Sequence, residues 1–190
     1  NKRKNMLIKT IFSGFGGQGV LSMGYTVANT AMLEGKFVTY FPSYGVEVRG
    51  GTANCTVIIS DEEIGSPTVR NPKAALVFNL PSFDKYEALV TPGGALVANA
   101  SLVDRGFKRT DLKSVLIPAN EMAEALGDKR MTNMVMLGAL LGALPVLPVE
   151  AVEKALSDHL PERHKRLLPL NFKALRQGEE FALQALVPQY

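Results

Sequence analysis

Four glycines crowd the start of the chain. Gly14, Gly16, Gly17 and Gly19 follow an apolar run, Leu7 to Phe12, and precede a segment of helical periodicity that opens at Val20. The order is strand, glycine loop, helix. Gly14, Gly16 and Gly19 satisfy G-x-G-x-x-G, the spacing that brings backbone close to a phosphate and aims helix-start N–H groups at it. The same glycines also serve a tight strand-to-helix turn that binds nothing, because glycine relieves the steric limits on such a turn. Gln18 offers an amide at the loop mouth or stands as a solvated polar residue. A dinucleotide site also requires an acid about 20 residues on, at the end of the second strand, to hold ribose hydroxyls. That strand, Lys36 to Phe41, ends in Tyr40, Phe41 and Pro42, with Glu34 before it and Asp61 beyond the third strand. The pattern therefore reads as a phosphate or backbone cradle rather than an NAD site.

A second loop, Pro42 to Gly51, carries Tyr44, Glu47 and Arg49 among its glycines. In an open α/β sheet, ligands and partner surfaces gather beyond the carboxyl ends of the strands, so the two loops are expected to be neighbours. Arg49 then has the planar fork suited to a phosphate or carboxylate, with a local pair to Glu47 as the alternative. Other chemistry is poorly represented. Cys55 is the only cysteine, so neither an intrachain disulfide nor a cysteine-ligated cluster or zinc site is built within the chain. It lies in a probable strand and reads as a buried small hydrophobe. His159 and His164 are not spaced to share a helix face, and neither is read as a metal ligand or catalytic base.

The elements that must position these loops alternate along the chain. A helix is predicted from Val20 to Leu33, with Leu21, Val27, Ala28, Ala31 and Met32 on its apolar side and Gly35 ending it. Strands follow at Thr52–Ser60, Ala74–Asn79, Ala95–Ala98 and Lys113–Pro118, with short helices at Ser82–Leu89 and Asn120–Leu126, the second capped by Asn120. Thr132 to Leu144 is apolar almost all round and too short to span a bilayer, hence a buried helix; Asn133 either caps it or faces a partner. Amphipathic helices are predicted at Val149–His159 and Phe172–Leu186, joined by a basic link. The expectation is one α/β domain over 1–190: a Rossmann-like three-layer fold with a mainly parallel sheet at about 6–118 and a helical C-terminal part at about 119–190.

Composition agrees with a globular chain: 46% of the 190 residues are hydrophobic and the formal charge is +3. Basic residues are scattered apart from Lys2–Lys4 and Arg163–Arg166, which gives no nucleic-acid stripe. No run reaches the ~18 apolar residues of a membrane span, and the first five residues lack a signal-peptide core, so a cytoplasmic location without membrane contact is expected.

GFGGQGV at Gly14–Val20, EGKFVTYFPSYGVEVRGGTANCTVIIS at Glu34–Ser60 and the TPGG turn at Thr91–Gly94 together resemble the gamma subunit of 2-oxoacid:ferredoxin oxidoreductases. The corresponding domain of single-chain pyruvate:ferredoxin oxidoreductases is similar. Val46 stands where the family often has proline, a change that bears on loop stiffness. The resemblance covers nearly the whole chain. It implies an accessory subunit in a complex with alpha, beta and delta-type partners, in which thiamine diphosphate and iron–sulfur clusters sit on those partners and electrons leave to ferredoxin. It further implies that this domain helps receive coenzyme A at Gly14, Gly16, Gly17, Gln18, Gly19 and Arg49, with Tyr44, Glu47, Gly50 and Gly51 as a subunit contact and no catalytic residue of its own. Two alternatives stay open: the loops serve only as an interface, or the chain is a free-standing flavin or nicotinamide reductase. The 2-oxoacid is left undetermined, since it should be chosen beside thiamine on the partners.

Overall fold

The computed structural model describes residues 5–44 and 51–187. Six strands form one mixed sheet in the order β2-β3-β1-β4-β5-β6: β1 (Leu7–Phe15), β2 (Phe37–Tyr44), β3 (Thr52–Ser60), β4 (Ala74–Val77), β5 (Ala95–Asn99) and β6 (Lys113–Ile117). β1, β4, β5 and β6 run parallel. β3 runs antiparallel to both β1 and β2, and stands between them. The first two strands of the chain are therefore parallel but not adjacent. β4 and β5 are buried along their whole length, which is why they read as continuous apolar runs of small and branched residues.

Helices cover both faces. α1 (Val20–Leu33), α3 (Ala119–Ala125), α4 (Thr132–Ala143), α5 (Val149–His159) and α7 (Leu168–Ala185) belong to one side, and α2 (Leu80–Leu89) to the other, while the single turn α6 (Glu162–Lys165) buries no residue. The α/β class, the three layers and the helical C-terminal part are those expected from the sequence. The larger core packs Phe12, Val57, Leu76 and Val97 of the sheet against Met23, Val27, Leu137 and Leu140. A smaller one joins Ile11, Val77 and Leu96 to Phe83 and Tyr86 of α2.

Several boundaries differ from expectation. β2 continues through Pro42 to Tyr44, residues assigned to the second loop; Pro42 sits opposite Cys55 on an edge strand, where a missing N–H breaks no ladder. Met32 is 58% exposed, and Met23 takes the buried place on α1. Asn120 does not cap α3: its Oδ1 accepts from Asn99 Nδ2 at 3.0 Å. α7 starts at Leu168, with Pro169 in its first turn, where proline lacks only an N–H that would be unpaired anyway.

α4 is buried nearly all round, as its composition requires, between the sheet and α7. The two helices meet backbone to backbone at Gly138 and Gly178. A Cβ on Gly138 would overlap the Leu175 carbonyl, and one on Gly178 the Val135 carbonyl. On the opposite face, the connection from β5 to β6 is tied to α2 by the buried Glu87. Its carboxylate accepts from the N–H groups of Lys108 at 2.5 Å and Arg109 at 3.2 Å and from Arg105 Nη2 at 2.9 Å.

Candidate functional site

The glycine loop lies at the carboxyl edge of the four parallel strands. Gly14 is still within β1, opposite Ala53, and the turn proper runs from Gly16 to Gly19. The two glycine segments are neighbours, as expected: Gly16 N–H donates to Gly51 O at 3.0 Å, one step beyond the end of the β1–β3 ladder. Gln18 folds back, and its Oε1 accepts from Phe15 N–H at 2.6 Å, while Gln18 N–H donates to Phe15 O at 3.2 Å. The side chain thus closes the turn from within. Gly19 is the N-cap of α1 in the left-handed region, φ 75°, and supplies no capping side chain. No acidic residue occupies the first turn, so its N–H groups and dipole keep their positive character.

Beside this turn is a polar cleft of about 350 Å³. Gly17 and Gln18 line it with Phe78, Asn99, Leu102, Asn120, Lys129, Arg130, Thr132 and Asn133. Five stretches build it: the glycine loop, the end of β4, the end of β5 with the turn after it, the start of α3, and the entry to α4. Asn99 is fully buried; Ser101 N–H donates to its Oδ1 at 3.1 Å, which fixes the amide that holds Asn120. Arg130 is held by Asp128, with Nε at 2.9 Å from Oδ1 and Nη2 at 2.6 Å from Oδ2, which leaves Nη1 for a ligand. The guanidinium beside it keeps the Asp128 carboxyl below the usual carboxylate range. Lys129 pairs with Glu124 at 3.0 Å. The lining itself includes both cations and no carboxylate, a setting for an anion.

The residues singled out from sequence divide into three groups. Gly16, Gly17, Gln18, Gly19 and Gly51 come together at this edge, with Gly14 at their base. Tyr44 is placed by its backbone, opposite Ala53. Val46, Glu47, Arg49 and Gly50 lie outside the described residues, and with them the proposed Glu47–Arg49 pair. Sequence reasoning missed Asn99, Lys129 and Arg130. A signal for Asn99 was available, because it is the polar residue ending an apolar parallel strand, the position where such sheets place ligands.

Second candidates for chemistry are quiet. Cys55 is fully buried, burial pushes its thiol up to about 12, and its Sγ lies 3.6 Å from Val20 O. His159 Nδ1 donates to Ala155 O at 3.1 Å, and His164 accepts from Arg163 Nε at 3.1 Å. Among the described residues no three His, Cys, Asp or Glu side chains gather to hold a metal ion, and no helix is long and apolar enough to cross a membrane.

Residues 9–181 match the family model for pyruvate ferredoxin/flavodoxin oxidoreductase. The chain belongs to this family. It is 35% identical over 184 residues to ketoisovalerate oxidoreductase subunit VorA of Methanothermobacter marburgensis, covering 96% of this chain and 38% of that one. The chain thus spans little more than a third of the length of that relative. Against 2-oxoglutarate synthase subunit KorC of Methanocaldococcus jannaschii it is 33% identical over 186 residues, covering 96% of this chain and 98% of the other. The crystal structure of the keto/oxoacid ferredoxin oxidoreductase gamma subunit from Geobacter sulfurreducens superposes with a TM-score of 0.78 at 32% identity, over 93% of this chain and 99% of that one. The family members of matching length are thus subunits of oxoacid oxidoreductases, and the gamma type is the one this chain resembles along nearly its whole length.

Proposed function

We propose that this chain is the gamma-type accessory part of a coenzyme A-dependent 2-oxoacid:ferredoxin oxidoreductase, and that the cleft beside the glycine loop receives the phosphates of coenzyme A. The observation that carries the reading is the convergence, at one sheet edge, of the uncapped start of α1 with Lys129 and Arg130. Together they offer helix-start N–H groups and a guanidinium fork to an anion, the donor set that phosphates favour. Arg49 is proposed as a further cation for the phosphates. In this reading 1–190 acts as one unit in a cytoplasmic complex with alpha, beta and delta-type chains. Thiamine diphosphate and the iron–sulfur clusters belong to the partners, because a single buried cysteine suits no cluster. Partner chains would also set the choice of 2-oxoacid.

The strand order supports a cradle over a nicotinamide site. The strand next to β1 on the α1 side is β3, which runs the opposite way and brings its beginning, Gly51 and Thr52, to the glycine loop. The second-strand acid of a dinucleotide site would therefore have no place beside the turn.

A competing reading makes the two loops a subunit contact. It is favoured by apolar side chains at the same edge: Phe15 is 38% exposed and Leu102 is 44% exposed. The deciding experiment uses the complex assembled with its partner chains, assayed for coenzyme A-dependent viologen reduction across several 2-oxoacids. Arg49→Ala and Arg130→Ala should each raise the coenzyme A KM about tenfold, a loss of ~1.4 kcal/mol, with the subunits still co-purifying. Loss of assembly with an unchanged KM would assign the loops to the interface. A rise in melting temperature of the isolated chain with NAD(P) or flavin would instead support a free-standing reductase.

A further inference from the structure

α1, α5 and the edge strand β2 enclose a second cleft of about 320 Å³ that shares no lining residue with the glycine-loop cleft. Its walls are apolar and aromatic, formed by Leu21, Tyr25, Tyr40, Leu156 and Leu160. The rings of Tyr25 and Tyr40 meet edge to face, with centroids 6.0 Å apart at 79°. Asn29 also lines this space. It is 9% exposed, and its carboxamide has no hydrogen-bond partner among the described residues. The other polar residues of this helix stretch are satisfied internally: Thr26 Oγ1 donates to Ser22 O at 2.9 Å and Thr30 Oγ1 to Thr26 O at 2.7 Å. Asn29 alone among these three keeps its donor and acceptor for the cleft. Its carboxamide is open to the cleft rather than sealed in the core.

The chemistry of the space narrows the ligand. No lysine, arginine or carboxylate lines it, so a charged group finds no counterion there. His159 is at its rim, held in place by Nδ1, which donates to Ala155 O. Small-molecule sites combine apolar and aromatic walls with a few placed polar groups, and this volume is at the small end of their range. A carboxamide presents C=O and NH₂ side by side, the complement of a heterocycle edge with a donor next to an acceptor, as asparagine pairs with the N6 and N7 of adenine. Tyrosine rings supply the flat apolar surface against which such a ring packs.

We propose that the α1–α5 cleft binds a neutral, flat heteroaromatic ring of the adenine type, with Asn29 reading its donor-acceptor edge and Tyr25 and Tyr40 forming its aromatic wall. The site stands apart from the coenzyme A reading of the glycine loop. The test is an amide-detected NMR titration of the full chain with adenosine. Saturable shifts centred on the Asn29 side-chain NH₂ and the Tyr25 and His159 backbone are expected. N6,N6-dimethyladenosine, which lacks the donor, should bind about tenfold more weakly, and Asn29→Leu should weaken adenosine by about tenfold or more. Tyr25→Ala, at a side chain already 57% exposed, gives a second variant with little risk to folding and should also weaken binding. Arg130→Ala should leave the shifts unchanged. Absence of saturable shifts, or adenosine affinity insensitive to both Asn29→Leu and Tyr25→Ala, would overturn the proposal. Affinity lost in Arg130→Ala but kept in Asn29→Leu would overturn it as well, by placing the base in the glycine-loop cleft.

Discussion

The carboxamide of Asn133, at the entry to α4, occupies the space that a side chain on Gly19 would need. A Cβ there would overlap Asn133 Nδ2 and lie 2.8 Å from its Cγ. Asn133 thus neither caps its own helix nor points away; it is packed against the turn that opens α1, and it joins the two halves of the polar cleft.

Gly19→Ala should therefore lose stability twice. The left-handed backbone costs an alanine about 1–2 kcal/mol, and displacement of Asn133 adds to it. In a double-mutant cycle measured by chemical denaturation, Asn133→Ala should recover the second part and leave the first. Strict additivity of the two changes would show that the contact carries no energy.

The α4–α7 crossing should be as intolerant. Gly138→Ala and Gly178→Ala improve intrinsic helix propensity by about 1 kcal/mol each, yet each new methyl meets a backbone carbonyl carbon at 2.8 Å in the facing helix. Backbone atoms cannot swing aside as side chains do, so a net loss of about 1–3 kcal/mol is expected. A raised melting temperature in either variant would contradict this.

Acid should loosen the strap on α2. Burial raises the Glu87 carboxyl, but the Lys108 N–H, the Arg105 guanidinium and the Arg109 N–H outweigh it and hold the group below its ordinary 4.5. A depressed carboxyl stabilises the fold above the unfolded-state value and loses that contribution as pH falls through the folded one. Glu87→Gln should then cost about 2 kcal/mol at neutral pH, and the gap to the parent should narrow on the acid side of 4.5. Denaturant midpoints of both proteins across that range provide the check.

Glu179 should show the opposite sign. Burial raises its carboxyl first, with Glu150 and Glu153 adding to the rise against Arg176. Its ionisation works against folding, so Glu179→Gln should raise the melting temperature at neutral pH and have no effect well below the ordinary 4.5.

Cys55 should be inert. A thiol that is fully buried and pushed up to about 12 has almost no thiolate at mildly alkaline pH. Native protein should resist a thiol reagent that labels the urea-unfolded chain at once; rapid native labelling would show that β3 opens.

Much of this was legible in the residues. α1, β3 and α5 have the bounds that periodicity predicts, because each is a clean pattern closed by turn-forming residues. The glycine loop was visible for the same reason. Direction was harder to read: nothing in TANCTVIIS marks β3 as antiparallel. The signal lay in the connection, since the segment before Thr52 is too short for the dozen or more residues of a parallel crossover. Proline misled at Pro42, by reading as the start of a loop where an edge strand accepts it. The cleft was least legible. Asn99 and Arg130 meet Gln18 only after the sheet and α4 have been assembled, and no local spacing links them.

The insertion of β3 beside β1 also sets an order of events during synthesis. Within this chain β1 is made first, yet both its edges are closed by later strands, one through Ser60 and the other through Val77. Until Val77 has left the ribosome, the Ile8–Ile11–Phe12 stretch has an unpaired side, and a strand of that composition with a free edge is a template for intermolecular pairing. The nascent chain is thus most exposed to misassembly, and most in need of a holding chaperone, before the central strand finds its second neighbour.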